Sequence, residues 1–286
     1  MGYSVKRLYG QDRHRTLHFD GVATTGAPFI VKTGDRRNMV TPPLSAIEHY
    51  RTFLADHYTW MSGPYAEKVA HQHELLVRSG VAPLTTGKAL DLGCGPGSQS
   101  IALAQLGFSI TAVDANAQLL EELGQHATGL PIRTIQHDLC ALATCPALPV
   151  QVDVAVCVGD IIPHLPNSEC ITTLFKQVSA RLVPSGKFLL GFRDLSEERY
   201  GLDRFLPIRS DSERIMMCFL EYEPDTVVVH DLIHIRHGEG WDLRKSCYRK
   251  LRLSVPWVVS QLEAQDFVLL SKEQREGVWI FVASKA

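Results

Sequence analysis

The pattern of apolar and polar positions divides the chain into four stretches: a polar start, a helical lead-in, a regular strand–helix rhythm with a strand-rich interruption, and a return to the rhythm. Residues 1 to about 40 are polar apart from short apolar pieces, and read as an arm with a few extended segments. From Pro42 the period becomes helical. Ser45 is placed to cap a helix through AIEHYRTFLADHY, with Ile47, Tyr50, Phe53, Leu54 and His57 at helical spacing. Gly63-Pro64 ends it, and a second helix follows from Tyr65 to about Ser79 and stops at Gly80. Short apolar runs then alternate with helical ones. The strands are KALDL, FSITAVD, PIRTIQHD, VDVAVCVGD and GKFLLGFRD. The helices cover residues 97–106, 118–126 and 171–182, and a turn is expected at Pro184-Ser185-Gly186. Strands separated by helices at this spacing predict a parallel, doubly wound α/β sheet with right-handed crossovers.

After Asp194 the rhythm breaks. RIMMCFLEYE, TVVVHDLIHIRHG and WDLRKSCYRKLRLS are rich in β-branched and aromatic residues, with turn residues between them, and predict an antiparallel insert of three strands. Ile215, Phe219, Val229 and Ile233 are among the apolar side chains that need a packing partner, because a small isolated sheet is marginal in water. The N-terminal helices would make the insert a lid, the favoured reading; a second subunit would make it a dimer edge. A helix over 256–265, the strand FVLLS, a turn at Glu276-Gly277 and the strand VWIFVAS complete the chain. The expected division is an arm and helical cap over 1–80, a main domain over 81–195 and 254–286, and the insert over 196–253.

Composition narrows the class. The 286 residues are 45% hydrophobic and 21% charged, which is ordinary globular usage, and the formal charge is −2. No basic stripe marks a nucleic-acid partner. The densest basic run, residues 244–252, alternates with apolar residues and reads as the exposed face of a strand. Seven cysteines show neither CxxC pairs nor zinc spacing, so no metal is expected and the thiols point to a reducing, cytoplasmic setting. The N-terminus has no apolar signal core, and no run approaches the roughly 18 apolar residues of a membrane span. A soluble monomer or homodimer is expected.

The candidate chemistry starts at ALDLGCGPGSQSIALAQLGFSITAVDA. Its spacing is DxGxGxG, from Asp91 through Gly93, Gly95 and Gly97. A dinucleotide fingerprint is GxGxxG, and its third glycine falls here on Ser98. A carboxylate just before the first glycine repels a pyrophosphate and suits a cationic ligand, and S-adenosylmethionine carries an ammonium and a sulfonium. Asp114, ending the second strand, is placed to accept from two ribose hydroxyls, a role shared with NAD sites. Asp138, after the third strand, can accept from an adenine amino group.

With the downstream VDA, HD and VCVGD segments, this stretch resembles the class I S-adenosylmethionine-dependent methyltransferase family over about residues 45–286, the insert being the least family-wide part. The resemblance implies a seven-stranded Rossmann-like sheet whose last strand is antiparallel. It implies that Gly93, Gly95 and Gly97 hold the methionine moiety, Asp114 the ribose, and Asp138 and Leu139 the adenine, with Ala115 also a cofactor contact. It also implies that VGDIIPHL, from Val158, borders the methyl group, and that the insert covers a small-molecule acceptor with an N or O nucleophile.

Asp160 and His164 then follow the fourth strand beside the expected methyl position. His164 is a candidate proton acceptor, since an unperturbed imidazole titrates near pH 6.5. Asp160 is a candidate to stabilise a positive centre or orient an amine. Tyr58, Arg193, His234 and Arg236 are candidate substrate contacts. Transfer would be SN2, with catalysis mostly by proximity and orientation. A rival reading is a non-catalytic S-adenosylmethionine-binding regulatory protein, which a pocket without room for an acceptor would favour. An NAD-dependent oxidoreductase is disfavoured by the glycine spacing.

Overall fold

The computed structural model describes residues 42–145 and 147–286, so the arm expected over 1–40 lies outside the described residues. The strand–helix rhythm builds one seven-stranded sheet from β1 (Lys88–Leu92), β2 (Ser109–Asp114), β3 (Ile132–Gln136), β4 (Val152–Cys157), β5 (Leu182–Phe192), β10 (Phe267–Arg275) and β11 (Val278–Lys285). The order is β10-β11-β5-β4-β1-β2-β3, and β11 runs antiparallel to both its neighbours. A second, four-stranded antiparallel sheet holds β6 (Phe205–Ser210), β7 (Arg214–Tyr222), β8 (Thr226–His237) and β9 (Gly240–Leu251) in sequential order. Its helical partners are α1 (Ala46–His49) and α2 (Ala55–Met61), joined by a π turn over Tyr50–Leu54, with Ser45 accepting the Glu48 N–H at 3.2 Å. The remaining helices are α3 (Tyr65–Arg78), α4 (Ser98–Gln105), α5 (Ala117–His126), α6 (Ser168–Arg181) and α7 (Val255–Glu263).

The central strands are covered on both faces, which is why they read as unbroken apolar runs. Leu90, Ala155 and Phe188 face a core with Phe175 and Val258, while Ala89, Val154 and Leu189 face one with Leu103 and Leu123. The chain order reverses between β1 and β4. A cleft opens there at the carboxyl ends of the strands, where ligands bind in open α/β sheets.

Two elements differ from expectation. The insert has a fourth strand, β6, which the pattern hides because Pro207 interrupts it. Proline removes a ladder donor and is admitted only at an edge or bulge; β6 is an edge strand, with a register shift between Pro207 and Arg209. The turn signal Pro184-Ser185-Gly186 is a bulge inside β5, where Ser185 takes φ 61° and the pairing with β4 shifts register.

The insert packs on the N-terminal helices. Leu54 is buried with Met216, Leu220, Val229, Ile233 and Tyr248, and Tyr50, Phe53 and Tyr58 pack against them. Because side chains alternate along a strand, Val229, Asp231 and Ile233 face the helices and His230, His234 and Arg236 lie on the other side. Among the described residues, no helix is long and apolar enough to cross a membrane.

Gly97 fixes how closely α4 and α5 approach. Its φ is +89°, and a Cβ there would stand 2.0 Å from a methyl carbon of Leu123. Gly97→Ala is expected to lose about 2 kcal/mol, through overpacking and a left-handed backbone. A thermal or urea melt indistinguishable from the parent's would contradict this packing.

Candidate functional site

The loop after β1 spends its own hydrogen-bond donors. The N–H groups of Gly93 and Cys94 donate to the Val113 carbonyl at 2.8 and 3.1 Å, and Gly97 N–H donates to the Cys94 carbonyl at 3.0 Å. Gly95 N–H donates to Asp114 Oδ2 at 2.9 Å, and residue 96 is proline. Phosphate sites at such loops rely on free N–H groups, and residues 93–97 keep none. A carboxylate stands against the loop instead. Asp114 Oδ1 also accepts from Asn116 N–H at 2.8 Å, and each carboxylate oxygen keeps a second lone pair for a hydroxyl. This donor set suits a ribose on a ligand without phosphate. Gly93 must be glycine for a close approach: its φ is +71°, and a Cβ would meet the Ile161 side chain at 2.8 Å.

Two cavities adjoin at the cleft. The smaller, about 560 Å³, is walled by Gly93, Gly95, Asp114, Ala115, Asp138 and Leu139, which brings together six of the expected cofactor contacts. Asp138 also caps the short turn Leu139–Thr144 by accepting from Cys140 N–H at 2.9 Å. The larger, about 1010 Å³, lies under the insert. Its wall includes Val158, Asp160 and Arg193 from the main sheet, and Met216, Val229 and Asp231 from the insert. Tyr50, Tyr58, Gly93, His164 and Lys250 belong to both walls, so the cavities meet there.

Two expected cofactor residues sit elsewhere. Asp91 is only 1% exposed and lies beneath the loop, where Ser100 Oγ donates to it at 2.6 Å. Burial pushes its carboxyl up to about 7. Gly97 faces Leu123 rather than a cavity.

At the junction the polar groups are already committed. Asp160 is 2% exposed, with φ 70°. Its Oδ1 accepts from Arg193 N–H at 2.8 Å; its Oδ2 meets Lys250 Nζ at 2.5 Å and the Arg193 guanidinium at 3.5 Å. Although burial opposes ionisation, Lys250 and Arg193 hold the carboxyl below its ordinary value. The charge expected to stabilise a positive centre is therefore taken up by two side chains. Burial, reinforced by Lys250, pushes His164 down to about 3, and its Nε2 is enclosed without a hydrogen-bond partner. An imidazole that weakly basic does not take a proton at neutral pH, which corrects the reading of His164 as a general base.

This burial has a pH consequence. The unfolded chain protonates His164 near the ordinary value of about 6.5, whereas the folded protein does so only near 3. The contribution is full above pH 6.5 and is lost as pH falls through that window. His164→Gln, neutral throughout, is expected to lose less stability than the parent between pH 7 and about pH 5. Equal losses in urea titrations at the two pH values would show that His164 is not held neutral.

Of the candidate substrate residues, Tyr58 lies on the shared wall and Arg193 on the larger cavity. His234 and Arg236 line neither cavity. They occupy the insert's outer face because they differ by an odd number of residues from the inward-facing Val229, Asp231 and Ile233. The residues missed from sequence are Tyr50, Tyr248, Lys250 and Asp231. Asp231 Oδ2 meets His49 Nε2 at 2.8 Å and its Oδ1 accepts from Cys218 Sγ at 2.7 Å; His49 stacks on Tyr248 at 4.3 Å. The available signal was the period of two in SCYRKL, which puts Ser246, Tyr248 and Lys250 on one face.

A sheet of this order, a glycine loop without free donors and a ribose-competent carboxylate at the end of β2 are the arrangement expected of a class I S-adenosylmethionine-dependent methyltransferase, and the chain is similar to methyltransferases over part of its length. Residues 89–186 match the family model described as a methyltransferase domain. The chain is 28% identical over 160 residues to the putative methyltransferase YqeM of Bacillus subtilis, covering 54% of this chain and 63% of that protein. It is 30% identical over 172 residues to the mitochondrial ubiquinone biosynthesis O-methyltransferase of Schizosaccharomyces pombe, covering 58% and 60%. The matches thus span less than two thirds of these relatives' lengths. Among solved structures, the CcbJ methyltransferase of Streptomyces caelestis superposes with a TM-score of 0.66 at 18% identity, over 83% of this chain and 98% of that one.

Proposed function

We propose that this protein binds S-adenosylmethionine in the smaller cavity and transfers its methyl group to an N or O nucleophile of a small molecule held in the larger one. The observation that carries this reading is the meeting of the two cavities at Tyr50, Tyr58, Gly93, His164 and Lys250. A cofactor-binding protein without activity needs no second chamber, and about 1010 Å³ reaches the upper end of ordinary small-molecule pockets. The sulfonium supplies an already activated methyl group when bound. The chain's task is then to position: Asp114 and the glycine loop fix one partner, and the insert closes over the other. Asp138 and Leu139 would hold the adenine. The seven free cysteines support a reducing, cytoplasmic setting.

The test is incubation of the full chain with methyl-labelled S-adenosylmethionine and a cell extract filtered to small molecules. Label is expected in new small-molecule products. Saturable binding of S-adenosylhomocysteine with no transfer to any component of the extract would favour the regulatory reading instead.

A further inference from the structure

Resting on that reading, we propose that the acceptor is an amine, attacked through a neutral nitrogen and released as a methylammonium ion. The observation is a run of aromatic rings across the junction. Tyr58 and Tyr50 stand 5.7 Å apart between centroids, Tyr50 and His164 5.6 Å, and His164 and Tyr248 5.5 Å. The first three line both cavities and Tyr248 the larger one. Beyond them, the larger cavity's wall includes the carboxylate of Asp231, itself 2% exposed. Tyrosine faces are negative and attract cations. The rings already have ammonium groups nearby: Lys68 lies 6.0 Å from the Tyr58 centroid and Lys250 5.9 Å from that of Tyr248.

The chemistry of transfer selects nitrogen. The acceptor's lone pair forms the new bond to the methyl carbon as the carbon–sulfur bond breaks and leaves its pair on sulfur. One positive charge passes from sulfur to the acceptor atom. The acceptor's ammonium form gives a proton to water before transfer, and the neutral amine then keeps its remaining protons through this step and leaves as the methylammonium ion. A hydroxyl must lose its proton to a base, and the groups at the junction do not provide one. Asp160 is engaged by Lys250 and Arg193, and the His164 imidazole is poorly basic. Positive charge is present at the junction both before and after transfer, so a site that holds the sulfonium also suits the product ammonium.

The test uses the full chain saturated with S-adenosylhomocysteine, so that only the acceptor side carries the added charge. Choline and neohexanol, its uncharged isostere, are titrated and read by saturation-transfer NMR. Choline is expected to bind at least about tenfold more tightly, the size of one desolvated cation–π contact. Tyr248→Leu, at a ring that lines the larger cavity and not the smaller one, is expected to abolish that preference while retaining saturable binding of S-adenosylhomocysteine. Equal or weaker binding of choline to the parent protein overturns the proposal, whatever the variant does. Failure of the parent to bind S-adenosylhomocysteine at all overturns the function on which the proposal rests, and the proposal with it.

Discussion

Asp153→Ala is expected to lower folding stability by about 3–4 kcal/mol, more than any other single change considered, because it removes a charged acceptor from several donors at once. Asp153 begins near the base of β4 and is 1% exposed. Its Oδ2 accepts from the N–H groups of Leu84, Thr85 and Gly87 at 2.8, 3.2 and 2.8 Å. Its Oδ1 accepts from the Thr86 N–H and hydroxyl at 2.8 and 2.9 Å. Alanine leaves these groups to whatever water reaches them, and each buried donor left unpaired costs about 1–3 kcal/mol, with partial recovery by solvent setting the total. The same donors hold the carboxyl below its ordinary value despite burial. Its contribution is therefore present above about pH 3.8 and lost as pH falls through the lowered folded value. Urea unfolding near pH 7 should show a shifted midpoint at constant slope. A loss under about 1 kcal/mol would mean that the loop over 84–87 finds other acceptors.

The next largest effect concerns the ligand. Asp114→Ala should weaken S-adenosylhomocysteine binding by about 2–3 kcal/mol, or roughly 30- to 150-fold, the worth of charge-assisted bonds to ribose hydroxyls. The variant also loses the acceptor for Gly95 and Asn116, so the glycine loop loses its brace. Far-ultraviolet circular dichroism is expected to stay native, because β2 is held by β1 and β3 on either side. Calorimetry showing parental affinity in the variant would refute the ribose assignment.

Local patterns were legible in the sequence and long-range ones were not. The stretch from Asp91 to Asp114 is a strand, a turn, a helix and a strand, whose hydrophobic period and glycine spacing are complete within it. β6 was hidden because Pro207 contradicts a strand unless the strand is known to lie at an edge. The sequence places Asp160 just after the fourth strand, but its partner Lys250 lies 90 residues away, and no local signal brings them together. His234 and Arg236 share one face of their strand. Alternation shows which residues share a face, but packing against α1 and α2 decides which face is inward. Helical spacing gives Tyr50 a packing face; the π turn and the insert together make it part of both cavity walls.

The central claim is that the cleft at the carboxyl edge of the sheet takes a phosphate-free, S-adenosyl ligand. It is tested most directly by calorimetric titration of the full chain with S-adenosylhomocysteine and, separately, with NAD. With the N–H groups of residues 93–97 all donated within the protein and Asp114 facing the smaller cavity, S-adenosylhomocysteine is expected to bind saturably and NAD to give no heat of binding. Saturable binding of NAD with no response to S-adenosylhomocysteine would contradict it.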